Sequence, residues 1–132
     1  MASELRITTL ANLAATESVD TTYVINGSAK LAVKYNMSGA IQGTSLNVSS
    51  VTDASNGRQS PQFTNSFSDA NYVFSATVSD TLGGSSHAMI VNQDYASTVS
   101  TSETRVGIVD GDNGNIYSDA DFCSVNLFGD LA

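Results

Sequence analysis

Residues 72–79 read Tyr72-Val73-Phe74-Ser75-Ala76-Thr77-Val78-Ser79. Tyr72, Phe74, Ala76 and Val78 alternate with Val73, Ser75, Thr77 and Ser79. A period of two sends successive side chains to opposite faces, which predicts a β-strand with one face turned to a core. The same period recurs at 31–37, where Leu31, Val33, Tyr35 and Met37 alternate with Ala32, Lys34 and Asn36. Around these two runs, Leu46, Val48 and Val51 predict a strand that kinks or bulges near Ser49-Ser50. Residues 53–57 end in Asn56-Gly57 and form a turn. Phe63, with Phe67, belongs to the next strand, whose Pro61 suits an edge or a strand start. Further strands are expected at 87–91, 99–109 and 122–128, with loops at 82–86 and 110–115. No strong helical stretch separates them. Strands joined by turn chemistry define an all-β chain, an antiparallel β-sandwich or small barrel.

The first 26 residues are of another kind. Leu5, Ile7, Leu10 and Leu13 are spaced by two and three and fit neither period cleanly. Residues 1–20 read as an extended or partly helical arm, with a short helix open over 9–16. Tyr23, Val24 and Ile25 are β-formers before the turn pair Asn26-Gly27. The chain therefore divides into an N-terminal arm and linker, 1–26, and a β-domain, 27–132.

With 132 residues the chain is one domain in length. Its net charge is −8, and charged residues make up only 14%, against about 25% in typical proteins. Ser, at 20, and Thr, at 13, fill the gap. This acidic balance repels phosphate and argues against nucleic acid as a partner. One Cys cannot form an internal disulfide, and no Cys/His set exists for a structural zinc. No basic-then-apolar leader and no apolar stretch of about 18 residues occurs, so synthesis in a cytoplasm and no membrane insertion are expected. The Asn-x-Ser triplets at Asn26, Asn36 and Asn47 carry no weight without secretion.

Several motifs invite a chemical reading. The run Asp110-Gly111-Asp112-Asn113-Gly114-Asn115 alternates oxygen ligands as a calcium loop does, and Asp119 and Asp121 lie near. The helix–loop–helix calcium pattern fails, because its fifth position is Gly114 and its sixth is Asn115. A plain acidic hairpin loop is preferred. Ser85-Ser86-His87 brings the only His beside a hydroxyl, but no third orienting group and no Gly-x-Ser-x-Gly elbow accompany it. Asp69, Asp80 and Asp94 fall in turns, as aspartates ordinarily do, so a carboxylate pair for glycoside cleavage is not supported. Cys123 reads as a small buried hydrophobe. Tyr35 and Tyr72 read as core or subunit-interface residues. Tyr95 and Tyr117 flank loops, where a tyrosine stacks on a sugar or anchors a protein contact. The candidate contact residues are thus Tyr95, Asp112, Asn113 and Tyr117. No catalytic residue, cofactor or metal is expected.

A longer pattern runs through Gly27-Ser28-Ala29-Lys30 and Val33-Lys34-Tyr35-Asn36. It continues through 45–53, Ser-Leu-Asn-Val-Ser-Ser-Val-Thr-Asp, then Gly57, Phe63-Thr64-Asn65 and Ser68-Asp69-Ala70-Asn71-Tyr72. This pattern resembles a module of short fibre-like proteins of marine tailed bacteriophages. The segments 1–7 and 125–130 are similar to such proteins too. The chain departs from the pattern in two places: Leu31, Ala32 and Val33 stand where the family carries a Trp, and Arg58-Gln59-Ser60-Pro61-Gln62-Phe63 replaces a regular alternation. The resemblance implies a non-enzymatic virion surface protein that forms a homotrimer. Residues 1–26 would dock on another virion protein through Leu5, Ile7, Leu10 and Leu13. The loops 81–86 and 110–118 would face outward towards a host surface glycan or protein. No heptad or fibre repeat forms a shaft. Tail-fibre or fibre-tip attachment is the leading expectation, capsid decoration the second, and a soluble carbohydrate-binding module the third.

Overall fold

A computed structural model describes residues 7–11, 14, 16–79, 89–94, 99–112 and 114–132. The two strongly alternating runs lie in one three-stranded sheet. β3 (Leu31–Asn36) and β6 (Val73–Ser79) flank β10 (Phe122–Phe128), both antiparallel to it. The register is continuous, from Phe122 opposite Asn36 and Ser79 to Leu127 opposite Leu31 and Phe74. Leu31, Val33 and Tyr35 of β3 and Cys123, Val125 and Leu127 of β10 are all buried, and their neighbours in sequence are not. That is the alternation the sequence sets out, with the apolar face turned inward.

The second sheet packs over that face. Its strands are β4 (Val48–Ser55), β5 (Arg58–Phe63), β8 (Val106–Asp110) and β7 (Met89–Gln93), in that order, and β9 (Ile116–Tyr117) adds to β8. It contributes Phe63, Val106 and Ile108 to the common core. The fold is an all-β antiparallel sandwich without barrel closure. The register slips between Val48 and Ser50, which leaves Ser49 as the expected bulge. The free side of β3 is closed by its own continuation. Asn36 N donates to Ala40 O, Gln42 N to Lys34 O and Leu46 N to Ala32 O, so this edge offers little for aggregation.

Four expectations are corrected. Pro61 lies inside β5, opposite Val51 of β4, and not at a strand start. Regular β5–β8 pairing covers only Arg58 and Gln59. Past it, Pro61 needs only its carbonyl, which accepts from Thr104 N, so the missing N–H costs no ladder bond. The stretch before Val106 is not strand; Glu103 makes one isolated bridge to Gln62. Thr9–Ala11, the start of the stretch read as open to a short helix, are strand. This strand, β1 (Thr9–Ala11), pairs with β2 (Ser18–Asp20). The β-formers Tyr23, Val24 and Ile25 sit in a helix, α1 (Thr21–Gly27). Asp20 caps it by accepting from Thr22 N at 2.7 Å. That bond and the Thr22 hydroxyl hold the Asp20 carboxyl below the usual carboxylate range. At the other end Lys30 Nζ reaches the Ile25 carbonyl and the Ser28 hydroxyl, which suits the negative end of a helix.

Tyr35 and Cys123 are direct partners across β3 and β10. Burial pushes the Tyr35 phenol far up, with the Cys123 thiol a lesser cause, and burial pushes the thiol up to about 11. Both groups are neutral when folded and ionise more easily when unfolded. The Cys123 contribution is therefore full below pH about 9 and is lost as pH rises through 9 towards 11, and the Tyr35 contribution is lost progressively from about pH 10 upward. Urea midpoints should fall over that window. The buried Tyr35 hydroxyl meets only the Cys123 thiol among the described residues, a weak hydrogen-bond partner. Tyr35→Phe should therefore match or slightly exceed the parent at pH 7 and lose part of the alkaline decline. A loss above about 2 kcal/mol at pH 7 would show that the hydroxyl is satisfied.

Candidate functional site

The topology gives the sandwich two ends. At one, α1 runs through 28–30 into β3, and Lys30 N donates to Leu127 O at the end of β10. The C-terminal segment returns here, with Phe67 bridging Leu131 and Ala132 N donating to Ser66 O. At the other end β3 and β6 finish and β10 begins, and Asp121 N donates to Ser79 O. The β4–β5 turn and the β8–β9 hairpin share that end, because Ile108 N bonds Gly57 O and Ser118 N bonds Ile108 O.

The β8–β9 connection is the acidic hairpin loop preferred from sequence. Val109 and Asp110 pair with Tyr117 and Ile116. Gly114 and Asn115 both take positive φ, 71° and 59°, and so turn the chain. Asp110 is buried, and its carboxylate accepts from Asp112 N at 3.0 Å. Asp112 is exposed at the tip. Asp119 points away from the loop and accepts from Gly57 N at 2.6 Å. Among the described residues no group of three or more His, Cys, Asp or Glu gathers as a metal would need.

Tyr117 is half-buried, and one of its faces is already used. The Arg58 guanidinium lies 3.8 Å from the ring centroid. Arg58 Nε also meets Asp94 Oδ2 at 3.0 Å. Tyr117, and after it Asp94, pushes the Arg58 group above its ordinary value. A side chain at Gly107 would come within 2.9 Å of Tyr117 Cε1, so that glycine makes room for the ring. Arg58 thus takes one stacking face of Tyr117. Asn56 Nδ2 donates to Tyr117 O at 2.7 Å and ties β9 to the β4–β5 turn. Three strands and a turn meet at this residue.

The remaining candidates divide. Asn113, Tyr95, Leu5 and Leu13, and likewise Ser85, Ser86 and His87, lie outside the described residues. Asp94, the neighbour of Tyr95, follows the end of β7 remote from Asp110, so Asp94 is not part of the Asp112 cluster. Ile7 and Leu10 are exposed on the β1–β2 unit. Sequence reasoning missed two features. One is the Arg58–Tyr117–Asp94 assembly, which no local signal announces. The other is a groove of about 290 Å³ at the foot of the arm, lined by Lys30, Leu46, Asn47, Thr64, Asn65 and Leu131. Scans of protein-family models, curated proteins and solved structures return no match to the chain.

Proposed function

We propose that this chain is a non-enzymatic structural protein on the surface of a tailed-phage virion, a trimeric tail-fibre or fibre-tip module contributing to host attachment. One observation carries the reading: among the described residues, an exposed apolar arm and a displayed acidic hairpin stand at opposite ends of the sandwich. At the arm end, Ile7, Leu10, Val19, Tyr23, Val24 and Ile25 are all exposed, and α1 has no buried residue. Apolar side chains kept in water at this density suit contact with another protein. At the far end a pinned acidic hairpin offers the Asp112 tip and the half-buried Tyr117. Rigid display on a β-scaffold is how binding loops are commonly held. The resemblance of 27–72 to fibre-like phage proteins supplies the setting. Capsid decoration is the second reading, favoured by the absence of a heptad or fibre repeat in the sequence.

The arm is the testable part. Removing residues 1–20 should leave a folded, trimeric β-domain that no longer joins particles. Circular dichroism and pelleting with particles would read the two properties separately. Loss of folding on that deletion would make the arm part of the core and end the docking assignment.

A further inference from the structure

We infer that Asn26, in the last turn of helix α1, is a site of spontaneous modification, its side-chain amide converting to a carboxylate through a cyclic imide with Gly27, and that Asn56, in the same kind of pair, is not. The sequence holds three Asn-Gly pairs, at 26–27, 56–57 and 113–114. Glycine leaves its own nitrogen unshielded and its backbone free to bend, so each pair has the residues for the reaction. Asn113 lies outside the described residues. Asn26 and Asn56 are both exposed, so exposure does not separate them. How the reacting atoms are held does.

The step needs only water and hydroxide. Gly27 N loses its proton and attacks Asn26 Cγ. The new C–N bond closes a five-membered imide, and the Cγ–Nδ2 bond breaks. The side-chain nitrogen leaves as ammonia, carrying a proton equivalent to the one Gly27 N gave up. Water then opens the ring at either carbonyl and leaves aspartate or isoaspartate at 26. At 56–57 the same moves are opposed. Asn56 Nδ2 donates to Tyr117 O at 2.7 Å, which fixes the side chain that would have to swing. Gly57 N donates to the Asp119 carboxylate at 2.6 Å, and a negative charge beside it opposes loss of that proton. Gly57 is itself buried, with its carbonyl accepting from Ile108 N. At 26–27 the reaction waits only on opening the last turn of α1. That helix has seven residues and buries none, whereas isolated helices need about 12–15, and Asn and Gly are poor helix formers. Opening the turn breaks Ser28 N to Val24 O and Ser28 Oγ to Ile25 O, exposed bonds that water replaces. Lys30 Nζ bonds the Ile25 carbonyl and the Ser28 hydroxyl, so a cation lies on the same turn and favours the deprotonated amide. The product carries a new carboxylate where the helix is already negative, and isoaspartate also adds a methylene to the backbone. Both weaken α1, so the joint between arm and sandwich loosens with age while the 56–57 turn persists.

The test uses purified full chain, so its outcome and that of the virion reading are independent. Chain aged in mildly alkaline buffer is digested, and the peptides holding 26 and 56 are resolved by chromatography and mass spectrometry, which separate amide, aspartate and isoaspartate. Chain unfolded in guanidinium chloride gives the reference rate for each pair. Folded Asn26 should convert within about tenfold of its unfolded rate, an opening cost of at most about 1.4 kcal/mol. Folded Asn56 should convert at least about a hundredfold below its own reference, since opening that turn draws on the sandwich itself. Gly27→Ala places its Cβ in open space and should slow Asn26 while circular dichroism stays that of the parent. Asp119→Ala, in chain that circular dichroism shows folded, should speed Asn56 and leave Asn26 unchanged. Asn56 converting as fast as Asn26 in the folded chain overturns the inference. An Asn26 that stays amide when folded yet converts when unfolded overturns it too.

Discussion

Phe67→Ala is expected to cost about 3–5 kcal/mol, the range for removing a buried phenylalanine. Phe67 is nearly fully buried. Its ring stands 5.3 Å from Phe63 and 4.9 Å from Tyr72, and Phe63 and Tyr72 meet edge-on at 5.9 Å. Each such pair adds about 0.5–1.5 kcal/mol beyond the area it buries. The backbone around Phe67 ties three segments together. Phe67 N donates to Thr101 O, Ser68 N to Asp130 O, and Phe67 bridges Leu131. Gly129 packs closely here too, since a Cβ on it would lie 3.1 Å from Tyr72 Cβ and 3.2 Å from Phe67 Cδ1. A domain of this size holds about 5–15 kcal/mol in all, so the variant should be marginal at 37 °C. Urea denaturation measures it. A loss below about 1 kcal/mol would mean the trio is not a cooperative part of the core.

Gly57→Ala is the second large effect, and it strikes the loop end. Gly57 has φ +64, which costs a residue with a side chain about 1–3 kcal/mol. The added Cβ would also lie 2.5 Å from Ser118 N and 2.6 Å from Ile108 O. Both are backbone atoms, so β8 and the segment after β9 must move. That movement breaks Gly57 N to Asp119 and Asn56 Nδ2 to Tyr117, and frees the Arg58–Tyr117 stack. Gly43→Ala is the control. Gly43 has φ +80 with nothing near its Cβ position, so it should show the backbone cost alone. Equal losses for the two variants would show that the turn does not bear on β9.

The strands were legible where one face is buried throughout. Leu31 to Met37 and Tyr72 to Val78 alternate in sequence and in burial alike, because inward positions must be apolar and nothing else competes there. The Ser49 bulge was legible because Val48 and Val51 cannot both face inward without an extra residue between them. Helix α1 was not legible. Tyr23, Val24 and Ile25 prefer strand, and the turns are held from outside that run, by the Asp20 cap, by Ser28 and Lys30 at the other end, and by Thr21 bonding to Thr8 O thirteen residues earlier. Pro61 misled for another reason: whether β5 is an edge depends on where β8 stops pairing, which the proline itself does not say. The acidic hairpin was readable from Gly114 and Asn115. The stack of Arg58 on Tyr117 was not, since the two come from strands distant in sequence that meet only along β8. The Asp94 contact depends on that same meeting.

The assignment to a virion surface rests most directly on where the chain sits. Cryo-electron microscopy of the intact particle, with this sandwich fitted to density, decides it. The account predicts the domain at the tail, in symmetric copies, with the Ile7 end buried against a neighbouring protein and the Asp112 hairpin facing outward. Density at capsid three-fold positions would contradict attachment and establish decoration. Absence of the chain from the particle would contradict the virion assignment altogether.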